Sequence, residues 1–158
     1  MKPINLKRLI IAILIPEAVG AASALLTGNI GETYRSYNQP PLSPPGIVFP
    51  IVWIILYALM GIASYLIVEE VKGQDKEKGE ALFFYALQLA VNFIWPIIFF
   101  RFSAYWVSVV VILVLVALVG ITAIKFKALY EPAFWLLVPY ILWLLFATYL
   151  NIGVAVLN

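Results

Sequence analysis

An all-α integral membrane protein, a bundle of five transmembrane helices, is what this 158-residue sequence predicts, on three observations. First, 65% of the residues are hydrophobic and only 11% charged, with a mean hydropathy of +1.03. A soluble domain carries about 25% charged and about 45–50% apolar residues. So small a chain cannot bury the excess within itself, so lipid must solvate much of it. Second, five stretches of little or no charge each reach the length a helix needs to cross a bilayer: residues 9–27, 47–68, 81–100, 102–124 and 132–158. Third, these runs are continuously apolar instead of alternating with period two, which disfavours a β-barrel. The connections between them are short, so one membrane domain over residues 1–158 is expected, with no soluble module.

The first span begins after Lys2, Lys7 and Arg8 and ends near Ala22-Ser23-Ala24, an outline that resembles a cleavable signal peptide. Pro16 and Glu17 interrupt its apolar run after seven residues, and the small residues from Gly20 to Ala24 suit close helix packing in lipid, so it is expected to stay as the first helix. The connection 28–46 is long and holds Pro40-Pro41-Leu42-Ser43-Pro44-Pro45, which stiffens the chain into an extended form suited to a preformed lid. The segment 69–80 carries eight charges in twelve residues and reads as a solvated loop. Eight Lys/Arg flank the spans on the N-terminal side of the membrane and two, Arg35 and Arg101, on the other. The positive-inside rule then puts the N-terminus in the cytoplasm and the C-terminus outside.

The chain has no His and no Cys, which excludes disulfides, thiolate or imidazole metal sites, and nucleophilic machinery built on either residue. No phosphate loop, metal-ligand cluster or cofactor motif is present. A net charge of +2, with its cations scattered, excludes a nucleic-acid reader. Function must come from aromatics, amides, a few carboxylates and shape.

Polar residues inside apolar spans are costly unless paired or used. In the third span Gln88, Asn92 and Trp95 share one face, pointing either into a cavity or across to another helix. In the second, Trp53, Tyr57, Gly61 and Ser64 form a stripe; in the fifth, Trp143, Ala147 and Asn151 form another, with Trp143 deeper than the interfacial belt. Trp106 and Trp135 sit at span ends and read as interfacial anchors. Three inward stripes under a proline-rich lid would enclose a tall apolar pocket for a large flat hydrophobic ligand. Glu17 is the sharpest single residue, either a proton-coupling group or a neutral acid hydrogen-bonded beside Pro16. The first option would suit a small proton-coupled multidrug exporter, the alternative function, although such exporters have four helices and no such lid. Ala86 and Ala90 offer a small-xxx-small pair, either for a homodimer through the third span or for packing within one protomer.

Three ordered blocks carry a family resemblance. The first is Pro40-Pro41-Leu42-Ser43-Pro44-Pro45-Gly46 with Val48-Phe49-Pro50-Ile51-Val52-Trp53 and Leu56-Tyr57-Ala58-Leu59-Met60-Gly61. The second is Gln88-Leu89-Ala90-Val91-Asn92-Phe93-Ile94-Trp95 with Ile98-Phe99-Phe100. The third is Pro139-Tyr140-Ile141-Leu142-Trp143 with Phe146-Ala147-Thr148-Tyr149-Leu150-Asn151. Together they resemble the translocator protein family, also called tryptophan-rich sensory proteins or peripheral-type benzodiazepine receptors, in its bacterial form.

The resemblance implies a five-helix bundle, commonly dimeric, that binds protoporphyrin, haem-like tetrapyrroles, sterols and benzodiazepine-type drugs, with light-dependent porphyrin degradation reported for some bacterial members. It implies Tyr34 over the pocket and Asn92, Trp95 and Ala147 as pocket-lining residues; Pro44 of the lid and Tyr57 and Gln88 of the inward stripes are expected to bind ligand with them. Trp53 and Trp143 are implied as the tryptophans tied to the photochemistry; from the residues themselves, no cofactor and no metal are expected. The chain departs from the family pattern at Thr33, Leu42 and Val111. No Lys or Arg follows Tyr149, so the sterol-recognition pattern is incomplete.

Overall fold

The computed structural model describes residues 2–158, and every regular element among them is helical. The order is α1 (Leu6–Thr27), α2 (Ile30–Ser36), α3 (Val48–Glu70), α4 (Asp75–Pro96), a π-helical turn (Ile97–Arg101), α5 (Tyr105–Leu129) and α6 (Glu131–Leu157). Five helices, α1, α3, α4 with its π turn, α5 and α6, are long and apolar enough to cross a membrane. The protein is an all-α, five-span membrane bundle.

Three elements differ from the sequence reading. The charged segment 69–80 is mostly helix, because α4 starts at Asp75 and places Asp75 and Glu77 in its first turn. There the exposed N–H groups and the helix dipole favour carboxylates. The connection 28–46 is not one extended segment: a turn at Pro41-Leu42, with Leu42 at φ 71°, bends its proline-rich half, and before it α2 forms with Glu32 in its first turn and Arg35 in its last, charges that match the dipole. The boundary between the third and fourth spans moves to Tyr105, because the π turn and Ser103, at φ 49°, occupy the intervening residues.

Pro16 does not break α1, which continues to Thr27. Proline has no N–H, so the carbonyl four residues earlier, on Ala12, loses its helical donor. α3 packs along α1 at that point, with Gly61 against Ala12. α5 lies along both α4 and α6, and α6 along α3. Met60, Ile67, Ile112, Leu115, Phe126, Leu137 and Tyr140 are fully buried between these helices. Ile10, Leu14, Ile54, Leu113, Leu142 and Leu145 stay exposed on the outside, as expected of a lipid-facing surface. Trp106 and Trp135 are also exposed, near the start of α5 and of α6, where interfacial anchors belong.

Candidate functional site

Two buried hydrogen-bond chains cross the interior of the bundle. In the first, the Tyr57 hydroxyl donates to Asn92 Oδ1 at 3.0 Å, Asn92 Nδ2 donates to the Tyr140 hydroxyl at 2.7 Å, and that hydroxyl donates to Gln88 Oε1 at 2.8 Å. Gln88 Nε2 ends the chain against Met60 Sδ at 3.8 Å. In the second, Trp95 Nε1 donates to Asn151 Oδ1 at 2.9 Å, and Asn151 Nδ2 donates to Ser108 Oγ at 3.0 Å. The first chain ties α3, α4 and α6; the second ties α4, α5 and α6. Lipid offers no competing water, so every such group needs a partner inside the protein, and these chains fix the rotation of each helix.

Above the first chain lies a cavity of about 700 Å³. That volume falls within the range of small-molecule sites. Tyr57 and Asn92 form its floor, and Trp53, Phe49 and Pro50 of α3 form one wall. Trp143, Ala147, Leu150 and Val154 of α6 form the adjoining wall, spaced so that one helical face is presented. Trp95, Phe99 and Phe100 close a third side, the last two delivered by the π turn, and Trp95 stacks on Phe99 with centroids 5.3 Å apart. The fourth side is α1, through Glu17, Gly20, Ala21 and Ala24. The Tyr57 ring fills the notch at Gly20, where any side chain would collide with it.

The lid is fastened at several points. The Tyr34 hydroxyl donates to the Pro44 carbonyl at 2.6 Å, and its ring meets Phe49 edge-on at 4.9 Å. Burial pushes the Tyr34 hydroxyl above its ordinary range, while a hydrogen bond with Ser43 acts in the opposite direction. Tyr37, pushed up to about 12 by burial, donates to the Phe99 carbonyl at 3.1 Å. Tyr149 donates to the Pro41 carbonyl at 2.6 Å, and Asn158 Nδ2 to the Asn38 carbonyl at 2.8 Å, which bolts the lid to the end of α6. Pro40 packs against Gly153, leaving no room for a side chain there.

Seven of the nine residues expected to bind ligand, Tyr34, Trp53, Tyr57, Asn92, Trp95, Trp143 and Ala147, line this cavity together. Gln88 does not; its amide is engaged by Tyr140 and Met60 one layer deeper. Pro44 serves through its carbonyl, which holds Tyr34, and does not line the cavity. Glu17 does line it, but has no hydrogen-bond or ion-pair partner among the described residues, so the expected hydrogen bond beside Pro16 is not made. Phe99 and Phe100, quoted in the second block, were not named as site residues because a π turn shifts the helical register at that point. The α1 face escaped it because small residues signal close packing and space equally; the recurrence of Glu17, Gly20, Ala21 and Ala24 on one face was the available sign.

Trp143 Nε1 is buried with no acceptor among the described residues, on a side chain that lines the cavity. A buried N–H without a partner costs about 1–3 kcal/mol, so an unpaired donor is left on this side chain.

The TspO/MBR family matches residues 12–157 of the chain. A tryptophan-rich protein TspO from Archaeoglobus fulgidus is 34% identical over 155 residues, covering 98% of this chain and 99% of that one. A translocator protein from Bos taurus is 37% identical over 139 residues, covering 87% and 82% respectively. A tryptophan-rich sensory protein from Cereibacter sphaeroides is 38% identical over 127 residues, covering 80% and 77%.

Proposed function

The chain belongs to the TspO/MBR family, and from that premise we propose that its cavity binds protoporphyrin-type tetrapyrroles and other flat hydrophobic ligands. The observation that carries the reading is the meeting of Trp53, Trp95 and Trp143, from three different helices, around one lidded apolar cavity. Aromatic faces stack on a planar π-system, each contact contributing about 0.5–1.5 kcal/mol beyond area burial. Iron ligation has little to work with: there is no His or Cys, and Met60 is fully buried below the floor. Metal-free porphyrin is therefore expected to bind at least as well as haem. Transport of the ligand, or its light-driven oxidation beside Trp53 and Trp143, would follow from the same pose.

The N-terminus lies in the cytoplasm and the C-terminus outside in this reading, supported by the distribution of Lys and Arg over the loops. Two copies meet through α4, where Ala86 and Ala90 are exposed beside Phe83, Leu87 and Ile94 and do not pack within the protomer.

The test is titration of the purified protein with protoporphyrin, followed by tryptophan quenching, on the parent and on Ala147→Leu. Ala147 is buried on the α6 wall, and a larger side chain there occupies the space a flat ligand needs. Saturable binding by the parent and its loss in the variant support the reading. No saturable quenching in the parent, or equal binding by both proteins, sinks it.

A further inference from the structure

The cavity wall carries two charges of opposite sign, and neither has a partner among the described residues. Arg35 stands on the same face of α2 as Ile30, Gly31 and Tyr34, the face turned to the cavity. Glu17 faces it from the middle of α1. The ion pairs the protein does form, Arg8 with Glu69 and Lys125 with Glu80, lie elsewhere. α2 follows the end of α1 at Thr27, and Glu17 is ten residues before that end. At 1.5 Å of rise per residue, Glu17 lies roughly 15 Å below the mouth at which Arg35 stands. The separation is comparable to the width of a tetrapyrrole macrocycle.

Resting on the tetrapyrrole reading, we infer that these two charges fix the orientation of the ligand: peripheral carboxylates outermost against Arg35, and the apolar edge of the macrocycle inward toward Glu17. A guanidinium pairs with a carboxylate through two parallel, charge-assisted hydrogen bonds, and at the mouth it does so without being pulled out of water. The inverted pose would set ligand carboxylates beside Glu17 within the apolar wall, where like charges are poorly screened and cannot be solvated. Glu17 acts as a filter against acidic groups at depth. The cavity therefore selects macrocycles whose acids are gathered along one edge.

The probes are protoporphyrin, its dimethyl ester, and coproporphyrin, which carries a propionate on every pyrrole. Full-length protein in uncharged detergent is titrated as the parent, Arg35→Gln, Arg35→Lys and Glu17→Gln. Arg35→Gln is expected to weaken the free acid about five- to tenfold and the ester less than twofold, with Arg35→Lys recovering part of the loss. Added salt should weaken the free acid in the parent but not in Arg35→Gln. The parent should bind coproporphyrin at least about tenfold more weakly than protoporphyrin, near 1.4 kcal/mol, and Glu17→Gln should narrow that gap to about threefold. If the parent binds acid and ester but Arg35→Gln lowers both equally, or Glu17→Gln leaves the gap unchanged, the orientation is wrong while the tetrapyrrole site stands. If the parent binds neither acid nor ester, the site reading and this inference fall together.

Discussion

Gly61 in α3 lies against the backbone of Ala12 in α1, so close that a side-chain Cβ on Gly61 would stand 2.5 Å from the Ala12 carbonyl oxygen. That carbonyl is the one Pro16 cannot serve, because proline has no N–H to donate. The unserved oxygen and the bare glycine meet, which lets the Gly61 Cα–H groups approach an acceptor that lipid would leave unsatisfied. Gly61→Ala is accordingly expected to lower stability by about 1–3 kcal/mol, as overpacking against rigid backbone does. Gly120 in α5 has open space where its Cβ would be, so Gly120→Ala should be neutral to slightly stabilising. Thermal unfolding in detergent checks both, and equal melting temperatures for the two variants would refute the close-approach argument.

The lid depends on Tyr149, whose hydroxyl holds the Pro41 carbonyl across 108 residues of sequence. Tyr149→Phe removes that one bond, a net loss of about 0.5–1.5 kcal/mol, and keeps the ring. Hydrogen exchange at Leu42 and Ser43 should rise, and bound ligand should dissociate up to about tenfold faster. Unaltered exchange at those two amides would show that the remaining lid contacts suffice.

The two α3 and α6 tryptophans separate binding from photochemistry. Trp53 packs on Tyr57 with centroids 5.4 Å apart, and Trp143 meets Phe49 edge-on at 5.7 Å, so a phenyl ring at either place keeps an aromatic wall. Trp53→Phe and Trp143→Phe should each weaken porphyrin binding by less than about tenfold, or 1.4 kcal/mol. Each should sharply slow any light-dependent loss of porphyrin, because the easily oxidised indole is gone. Trp143→Phe also deletes a buried donor that has no acceptor, so the ligand-free protein should be no less stable than the parent. Quenching titration, absorbance decay under illumination and thermal unfolding measure the three effects; identical decay in parent and variants would remove the indoles from the chemistry.

Association through α4 is expected to fail in Ala86→Leu with Ala90→Leu, since without a hydrophobic drive between helices in lipid, close packing must hold the pair. Light scattering of the detergent-solubilised protein should report dimers for the parent and monomers for the double variant. Dimers in both would place the interface on another face.

Orientation is checked with reporters. A fusion after Asn158 should be active outside the cytoplasm, and one within the Val71–Gln74 connection active inside. The reverse pattern would overturn the assignment drawn from the loop charges.

Five spans were legible in the sequence because lipid imposes a length and a composition on any helix that crosses it, whatever its neighbours are. The stripes Trp53–Tyr57, Asn92–Trp95 and Trp143–Ala147 were legible for a related reason: four-residue spacing puts side chains on one helical face before any packing is known. Periodicity alone does not say how far along the bundle axis a face reaches its neighbour. Gln88 and Asn92 share a face, yet one is held by Tyr140 and Met60 below the cavity while the other forms its floor, a distinction of one helical turn. Phe99 and Phe100 reach the site only because a π turn rotates them there, and Glu17 and Arg35 line one cavity only because α2 lies at its mouth, against the π turn. Membrane spanning is decided residue by residue through transfer into lipid; the site is decided by the rotation and depth of each helix, which the buried hydrogen-bond chains and the Gly20, Gly61 and Gly153 contacts set in three dimensions.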